Sequence, residues 1–303
     1  MIQDLAPAVF DNQYKEKQMN DKSRLMFVRG EQVLYKVVDD KMIYPRYCDC
    51  DTKGIDIRYM FSIDDVDYFL AFEDEYIDED EEIDTPYRGL VKKLEADGFV
   101  FKNRTYIRNV YLNNPDEKQE CYAGVTAYQL GAWYEDNRIC GRCGSPLIHS
   151  KEERMMQCDK CGNRIYPKIC PAVIVGVTDN DKILLTKYSV GHKRLALVAG
   201  FAEVGETIEE TVQREVMEEV GLKVKNIRYY KSQPWTFTDT LLFGFFCDVD
   251  KDNHITMDRK ELSYANWIPR KKLDEVEDDG ISLTREMIRV FKEGRERENY
   301  DRF

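Results

Sequence analysis

Seven glutamates lie in one stretch of the sequence, LALVAGFAEVGETIEETVQREVMEEVGLKV, at residues 195–224. Glu215, Glu218 and Glu219 stand at positions i, i+3 and i+4, so on a helix they would crowd one face. Like charges at that spacing repel by roughly a few tenths of a kcal/mol per pair, and a bound cation would reverse the effect. Oxygen ligands of this kind suit Mg²⁺ or Mn²⁺, which favour carboxylates and phosphate oxygens. The helical pattern alone leaves a solvated acidic face as an open alternative.

The same stretch carries signals for the beginning and the end of a helix. Thr207 and Glu210 form a Thr-x-x-Glu capping box, and Gly221 is a typical stop. Between them, aliphatic residues recur every four positions and form a stripe that we expect to be buried: Ile208, Val212, Val216 and Val220. The sequence therefore predicts one helix that buries this stripe and presents its glutamates on another face.

A second group of residues has the spacing of a metal site. Two Cys-x-x-Cys pairs, CGRCG and CDKCG, are separated by fourteen residues and supply Cys140, Cys143, Cys158 and Cys161. Gly144 and Gly162 permit the tight turn that directs backbone N–H groups toward sulfur. The spacing favours a four-cysteine zinc ribbon over unligated thiols, and a site closed by four sulfurs is structural.

Composition limits the classes of protein to consider. The 303 residues include 45 Lys and Arg against 57 Asp and Glu, a net charge of -12, which argues against broad electrostatic binding of nucleic acid. Nine cysteines, an odd number, fit a disulfide framework poorly. We find no apolar run of about 18 residues and no signal-peptide pattern, so we expect no membrane span and a cytoplasmic location.

Apolar runs and turn signals predict an α/β protein in three parts: an N-terminal α/β domain at 1–125, a linker helix and ribbon at 126–168, and a domain at 169–303. In the first part, strands are expected in RLMFVRG, QVLYKVV and DYFLAFEDE, with helices near 86–97 and 121–134. The acidic block 73–84 is expected to be a solvated loop or helix start. Later elements are expected to be a strand–turn–strand within 166–188, a strand at 241–249 and a closing helix at 283–298.

From Gly200 to Leu222 the chain resembles the Nudix box, G-x5-E-x7-R-E-U-x-E-E-x-G-U with U aliphatic, at every fixed position. The resemblance implies an α/β/α sandwich with a mixed sheet that binds divalent metal and hydrolyses nucleoside diphosphates linked to another group. It makes Glu215 and Glu219 principal metal ligands, Glu218 a further ligand or water-orienting group, and the carbonyl of Ala199 a backbone ligand. Arg214 would orient the carboxylates by charge-assisted hydrogen bonds, with Glu206 as a brace of the loop.

The order of ribbon, Tyr166-Pro167, box and SQPWTFTDT (232–240) resembles the NADH pyrophosphatase subfamily, whose signature is S-Q-P-W-P-F-P-x-S. This chain departs from the signature at Thr236, Thr238 and Thr240. The resemblance places a further metal carboxylate at Glu261, in DRKELSYANW (258–267). It also implies a set of substrate-binding residues: Tyr166, Phe201, Gln233, Pro234, Trp235, Thr236, Phe237, Thr238, Asp239 and Thr240.

The activity implied is hydrolysis of the pyrophosphate of NAD or NADH to AMP and NMN or its reduced form, with Mg²⁺ or Mn²⁺. Family members are typically homodimers, and some remove NAD caps from RNA. The resemblance covers about residues 123–303, and no residue is carried over from 1–122. Three alternatives stay open: a Nudix hydrolase for another substrate such as ADP-ribose, a non-catalytic nucleotide-binding module, and a zinc-ribbon nucleic-acid binder.

Overall fold

The computed structural model describes residues 1–73, 84–190, 194–275 and 279–298. The chain divides into two compact units. The N-terminal unit comprises Asp4–Lys168 and Thr236–Thr238, and the C-terminal unit comprises Met1–Gln3, Ile169–Trp235 and Asp239–Phe303. The predicted loop in the acidic block falls on residues 74–83 and, like His192, lies outside the described residues.

The N-terminal unit is built from short strands and three helices in its described part. Its helices are α1 (Pro86–Ala96), α2 (Thr105–Asn113) and α3 (Lys118–Asp136). Its strands are β1 (Phe10–Asp11), β2 (Arg24–Met26), β3 (Val28–Arg29), β4 (Gln32–Val38), β5 (Lys41–Ile43), β6 (Asp56–Ile63), β7 (Val66–Phe72), β8 (Val100–Asn103), β9 (Ile148–His149), β10 (Met156–Gln157) and β11 (Arg164–Ile165).

These strands pair in small sheets. One sheet has the order β1-β6-β7-β2, another has the order β3-β4-β5 with β8 paired to β4, and the last strands form β11-β10-β9. Large side chains from β4, β7 and α1, such as Leu34, Phe69 and Leu90, are buried together. The strands expected in the first three apolar runs are confirmed, because each run places bulky residues on a pleated, half-buried surface.

Helix α3 crosses the position where we expected a domain to end. It runs from Lys118 to Asp136, so residues 125 and 126 lie within one continuous helix. Ten of its residues are buried, which makes it a central element of the N-terminal unit. A break at residue 125 would cut this helix; the division into parts at 125 and 168 stays a prediction.

The C-terminal unit contains a mixed sheet with a helix on each face. Its strands are β12 (Cys170–Asp179), β13 (Lys182–Tyr188), β14 (Val198–Phe201), β15 (Val224–Trp235), β16 (Thr240–Val249) and β17 (Leu262–Pro269). The order is β15-β16-β12-β13-β17, with β14 paired to β12. Strand β12 runs parallel to β16 and antiparallel to β13 and β14. The helices are α4 (Ile208–Val220) and α5 (Leu283–Lys292).

Strand β12 explains why both faces of this sheet are covered. Val173, Val175 and Val177 point to the layer that contains α4, whereas Ile174 points to the layer that contains α5. Alternation with period two sends successive side chains to opposite faces, and both faces are apolar here. The α/β/α sandwich predicted from the sequence is therefore confirmed.

Both ends of α4 are where the sequence predicts them. The Thr207 and Glu210 side chains and backbone amides form the reciprocal capping box, and Gly221 ends the helix at φ 69°. The closing helix is shorter than expected: α5 ends at Lys292 and not near residue 298. Gly294 adopts φ 76°, and its amide bonds back to the Phe291 carbonyl, which terminates the helix.

None of the helices in the described ranges combines the length and the apolar composition that crossing a bilayer requires.

Candidate active site

Arg214 on α4 is the centre of a cluster of carboxylates in the C-terminal unit. Its Nε atom lies 2.6 Å from Glu206 Oε1, and its Nη1 atom lies 2.7 Å from Glu215 Oε1 and 2.9 Å from Glu218 Oε2. Its Nη2 donates to the Phe201 carbonyl at 2.8 Å. One guanidinium thus ties the helix to the strand β14 and to the loop that follows it.

Glu206 braces the loop between β14 and α4. The hydrogen bond from Arg214, followed by the one from the Glu203 amide, lowers the pKa of Glu206 to about 2. Its Oε2 accepts from the Glu203 amide at 3.1 Å and from Thr211 Oγ1 at 3.0 Å. The carboxylate therefore stays charged at neutral pH and fixes both ends of the loop.

Glu219 is a buried carboxylate with an unsatisfied oxygen. Its side chain is on α4, the residue is 1% exposed, and its Oε2 has no hydrogen-bond partner among the described residues. Burial raises the pKa of Glu219 to about 8, against the opposing backbone hydrogen bond from Ala199, and the charges of Glu215 and Glu261 raise it further. A buried, unpaired anion is costly unless a cation neutralises it, so this donor set fits a hard divalent ion.

Gly200 makes room for Glu215 beside the backbone of β14. A Cβ atom at position 200 would lie 1.9 Å from Glu215 Cδ and 2.1 and 2.2 Å from its two oxygens. Burial raises the pKa of Glu215, although the hydrogen bond from Arg214 opposes the shift. The first glycine of the Nudix-like pattern is thus required by a carboxylate that stands fifteen positions later.

The predicted carboxylate ligands are not all placed around one metal position. Within the described residues, the only group of three or more His, Cys, Asp or Glu side chains placed to hold one metal ion is the four cysteines. Glu215 and Glu218 are directed to Arg214, and Glu261 is an exposed residue just before β17. Glu261 is held by its backbone, since its carbonyl accepts from the Ser189 amide at 2.8 Å and from Ser189 Oγ at 3.0 Å.

The predicted substrate-binding residues divide into exposed and buried groups. Phe201 is 56% exposed and Tyr166 is 51% exposed, which excludes a core role for either ring. Pro234, Trp235 and Asp239 are partly buried, and Thr238 is exposed. Three others are buried: Thr236, Phe237 and Thr240.

Gln233 has a different environment from the one predicted for a substrate contact. It is fully buried, and its Nε2 donates to Gln3 Oε1 and to the Ile281 carbonyl, both at 2.8 Å. Its Oε1 accepts from the Leu283 amide at 2.7 Å. Because the amide is used inside the C-terminal unit, where it joins β15 to the start of α5, a direct bond to a nucleotide would require these bonds to break.

The segment 232–240 also belongs to two units. Residues up to Trp235 and from Asp239 onward are part of the C-terminal unit, whereas Thr236–Thr238 form a short 3₁₀ turn in the N-terminal unit. Tyr166 lies in the N-terminal unit as well, where its hydroxyl bonds to Glu153 Oε1 at 3.0 Å.

The four cysteines of the N-terminal unit form the predicted cluster. The Sγ atoms of Cys140 and Cys161 are 3.6 Å apart, and those of Cys143 and Cys158 are 3.5 Å apart. All four lie within 4.8 Å of one another, so one ion can contact every sulfur. Each Cys-x-x-Cys pair is closed by a glycine at positive φ, Gly144 at 70° and Gly162 at 69°, whose amide bonds to the carbonyl of the first cysteine.

Backbone amides lower the pKa of two cysteines of the cluster, Cys140 and Cys143, and so favour the thiolate form that binds a cation. Desolvation tends to raise the pKa of Cys140, but hydrogen bonds from the amides of Arg142 and Cys143 outweigh it and lower the pKa to about 6. The Ser145 backbone and side chain lower the pKa of Cys143 as well. Thiolates are the form that binds zinc, so these knuckles fit a four-sulfur zinc site.

Family models match the two ranges that contain these groups of residues. The model of the NUDIX domain matches residues 168–291, which include the Arg214 cluster. Residues 168–291 are therefore similar to a Nudix domain. The model described as the NADH pyrophosphatase zinc ribbon domain matches residues 135–166, so the segment with the four-cysteine cluster is similar to a zinc ribbon of that type.

Curated relatives resemble about half of the chain. The NAD-capped RNA hydrolase NudC of Klebsiella pneumoniae (strain 342) is 46% identical over 162 residues, 53% of this chain and 62% of that protein. The protein of the same name from Salmonella typhi is 47% identical over 141 residues, 46% of this chain and 54% of that protein. The chain therefore spans less than two thirds of the length of these relatives.

Among solved structures, a NUDIX hydrolase from Nitrosomonas europaea is 19% identical, with a TM-score of 0.45. The match covers 54% of this chain and 94% of that one.

One residue of the C-terminal unit, Tyr188, is influenced by the carboxylates but could not be singled out from the sequence. Tyr188, the last residue of β13, is largely buried, and burial raises the pKa of its hydroxyl, with Glu219, Glu215 and Glu261 adding to the shift. Because an isolated tyrosine at a strand end is common, only the fold reveals that it stands near three acidic groups.

Proposed function

We propose that this protein hydrolyses the pyrophosphate of NAD or NADH to AMP and NMN or its reduced form, with Mg²⁺ or Mn²⁺ as cofactor. The observation that carries the proposal is the combination, in one chain, of a Nudix domain and a zinc ribbon of the NADH pyrophosphatase type. The relatives named NAD-capped RNA hydrolase support the same chemistry, because an NAD cap contains the same pyrophosphate.

Glu215 and Glu219 are the proposed principal ligands of the cation, with Glu218, Glu261 and the Ala199 carbonyl as further ligands. The unsatisfied Oε2 of Glu219 supports this assignment most directly. A divalent cation, when bound, offsets the charge of the phosphate oxygens and makes a water molecule more acidic. Arg214 holds Glu206, Glu215 and Glu218 in position through three ion pairs.

The proton of the attacking water is expected to go to a carboxylate. No histidine falls in the Nudix box: His149 belongs to the N-terminal unit, and His254 is exposed beyond α4. Among the proposed metal ligands on α4, Glu218 is the most exposed: 60% of its side chain is accessible, against 12% for Glu215, and Glu219 is buried. It is therefore the proposed water-orienting group.

Aromatic side chains are proposed to bind the flat rings of the dinucleotide. Phe201 exposes more than half of its surface directly after Gly200, and an apolar ring in that state gains by stacking on a base. Trp235 and Tyr166 are proposed for the same purpose, and the hydroxyls of Thr238 and Thr240 for polar contacts.

Larger substrates and the assembly state follow from the resemblance. We propose that an NAD-capped RNA is also a substrate, and that it is held at its cap, since a net charge of -12 opposes binding along the RNA backbone. A homodimer is proposed on the resemblance alone. A thiolate zinc site is compatible with the reducing cytoplasm, which is the proposed location.

A Nudix hydrolase for ADP-ribose is the second candidate. Two observations favour it: the Gln233 amide is used inside the fold, and threonines replace two prolines of the subfamily signature. Both weaken the case for a binding segment of the NADH pyrophosphatase type.

A substrate panel distinguishes the two candidates. The protein is incubated with NADH, NAD or ADP-ribose in Mg²⁺ or in Mn²⁺, and the products are separated and quantified. The proposal expects equimolar AMP and reduced NMN from NADH, with a higher kcat/KM than for ADP-ribose. Preferential cleavage of ADP-ribose would support the second candidate, and no cleavage of any of them would contradict both.

A further inference from the structure

The turn Thr236–Thr238 depends on its contacts for its shape. Pro234 is the only proline of segment 232–240, so no ring fixes φ within the turn. Thr236 and Phe237 are nevertheless buried, and the turn ends at Asp239, whose φ of 55° is unusual for a residue with a side chain. Something outside the turn must hold it in place.

Arg104, in the same unit, makes one contact that holds the turn. Its Nε atom donates to the carbonyl oxygen of Phe237 at 2.8 Å. Its guanidinium lies over the ring of Tyr128 with 4.6 Å to the centroid, and its Nη1 lies 2.7 Å from Glu31 Oε1. The side chain is 17% exposed, so the bond to the carbonyl is formed largely away from water.

The backbone of Arg104 is fixed as firmly as its side chain. Its amide donates to the Glu31 carbonyl at 3.0 Å, next to the pairing of Asn103 with Gln32 between β8 and β4. Arg104 stands between β8 and α2, and a charged donor that is anchored there and oriented by an aromatic face can set the position of a carbonyl more firmly than a neutral donor.

We propose that Arg104 is a positioning residue for substrate selection: it fixes the turn 236–238 and, through the chain, the adjoining Trp235 and Thr240. This inference rests on the proposed function, since it assumes that segment 232–240 reads the dinucleotide. It gives a part in that recognition to residues 1–122, from which no functional residue was carried over by the resemblance. Arg104 does not touch the reacting atoms, so it should act on KM and leave kcat nearly unchanged.

Three variants separate positioning from a general loss of structure. Arg104→Gln removes the charged donor, Arg104→Lys keeps a cation that can reach the same carbonyl, and Glu31→Gln removes only the partly exposed ion pair. Arg104→Gln is expected to raise KM for NADH about tenfold, the scale of one hydrogen bond to a charged group, with kcat within about twofold. Arg104→Lys should recover part of the loss, and Glu31→Gln should change KM less than about twofold.

Amide hydrogen exchange of a peptide covering 232–242 provides a readout that needs no activity. Arg104→Gln should exchange faster there than the wild type, and Glu31→Gln should not. Unchanged KM together with unchanged exchange in Arg104→Gln would overturn the inference, as would parallel losses of kcat and thermal stability. If the wild type fails to cleave NADH, the proposed function fails, and the exchange data still decide whether Arg104 holds the turn.

Discussion

At the scale of single residues, Arg214 and Glu219 have different roles in the site. Arg214 satisfies Glu206, Glu215 and Glu218, whereas Glu219 is left buried with one oxygen unpaired. A residue so placed costs stability when the cation is absent and is suited to binding it. Replacing the buried carboxylate of Glu219 is therefore expected to have opposite effects on stability and on catalysis.

Glu219→Gln removes the buried charge and keeps the shape of the side chain. We expect turnover to fall by at least about 100-fold, the usual scale for losing a group that stabilises charge in the transition state. In buffer free of Mg²⁺ and Mn²⁺ at pH 8, the variant should melt at the same temperature as the wild type or higher, because an uncharged amide is cheaper to bury. Steady-state kinetics and thermal melts check both parts; near-normal turnover would remove the metal assignment.

Trp235→Ala tests stacking on the dinucleotide. A base–aromatic contact is made only by substrates that carry the ring, so KM for NADH should rise by about tenfold while a substrate lacking that ring is hardly affected. Tyr229→Ala, an exposed aromatic on the same strand β15, is the matched control and should behave like the wild type. Equal effects of Trp235→Ala on both substrates would refute the stacking role.

At the scale of elements, the site depends on the contact between β14 and α4. The Glu215 carboxylate of α4 lies so close to Gly200 on β14 that no side chain fits at position 200. The carbonyl of Phe201 accepts a hydrogen bond from Arg214. The loop between the two elements is braced by Glu206. The strand, the loop and the helix therefore position the carboxylates together.

Gly200→Ala is expected to move the Glu215 carboxylate away from β14, because the new Cβ would lie about 2 Å from it. Activity should fall by at least about tenfold and the affinity for Mn²⁺ should weaken. Gly89→Ala on α1, where a Cβ meets no atom within 4 Å, is the control and should leave activity unchanged. Kinetics at several Mn²⁺ concentrations provide the measurement, and wild-type behaviour of Gly200→Ala would contradict the account.

The parts of the fold and of the site that could be predicted from the sequence are those with local signals. The capping box and Gly221 set both ends of α4, and the two Cys-x-x-Cys pairs identified the ribbon, because each signal lies within a few residues of what it determines. The environment of Gln233 was not predictable. Its partners Gln3 and Ile281 are 230 and 48 positions away, and such contacts leave no mark on local spacing. The same holds for Arg104, which is 133 positions from Phe237.

At the scale of the whole molecule, net charge limits how the proposed RNA substrate could bind. The chain has a net charge of -12 and an isoelectric point near 5.0, so a polyanion is repelled at long range. Recognition must then come from the cap and its cation, with few contacts to further phosphates.

This charge balance predicts a weak dependence of RNA binding on salt. Between about 50 and 200 mM salt, KM for an NAD-capped RNA should change about as little as KM for NADH, because few counterions are released from the RNA. The comparison requires the two substrates to be measured in the same buffers. A steep loss of affinity for the RNA alone would show that its backbone is bound and would favour the ribbon as a nucleic-acid binder.

Mn²⁺ uptake by the zinc-loaded protein is the most direct test of the central claim, that the carboxylates of α4 hold a divalent cation. Equilibrium dialysis compares the wild type with Glu219→Gln and with Glu209→Gln, an exposed glutamate on the same helix. The account predicts that the wild type and Glu209→Gln bind Mn²⁺ alike and that Glu219→Gln binds it at least about tenfold more weakly. Equal uptake by all three proteins, or none by the wild type at saturating Mn²⁺, would contradict it.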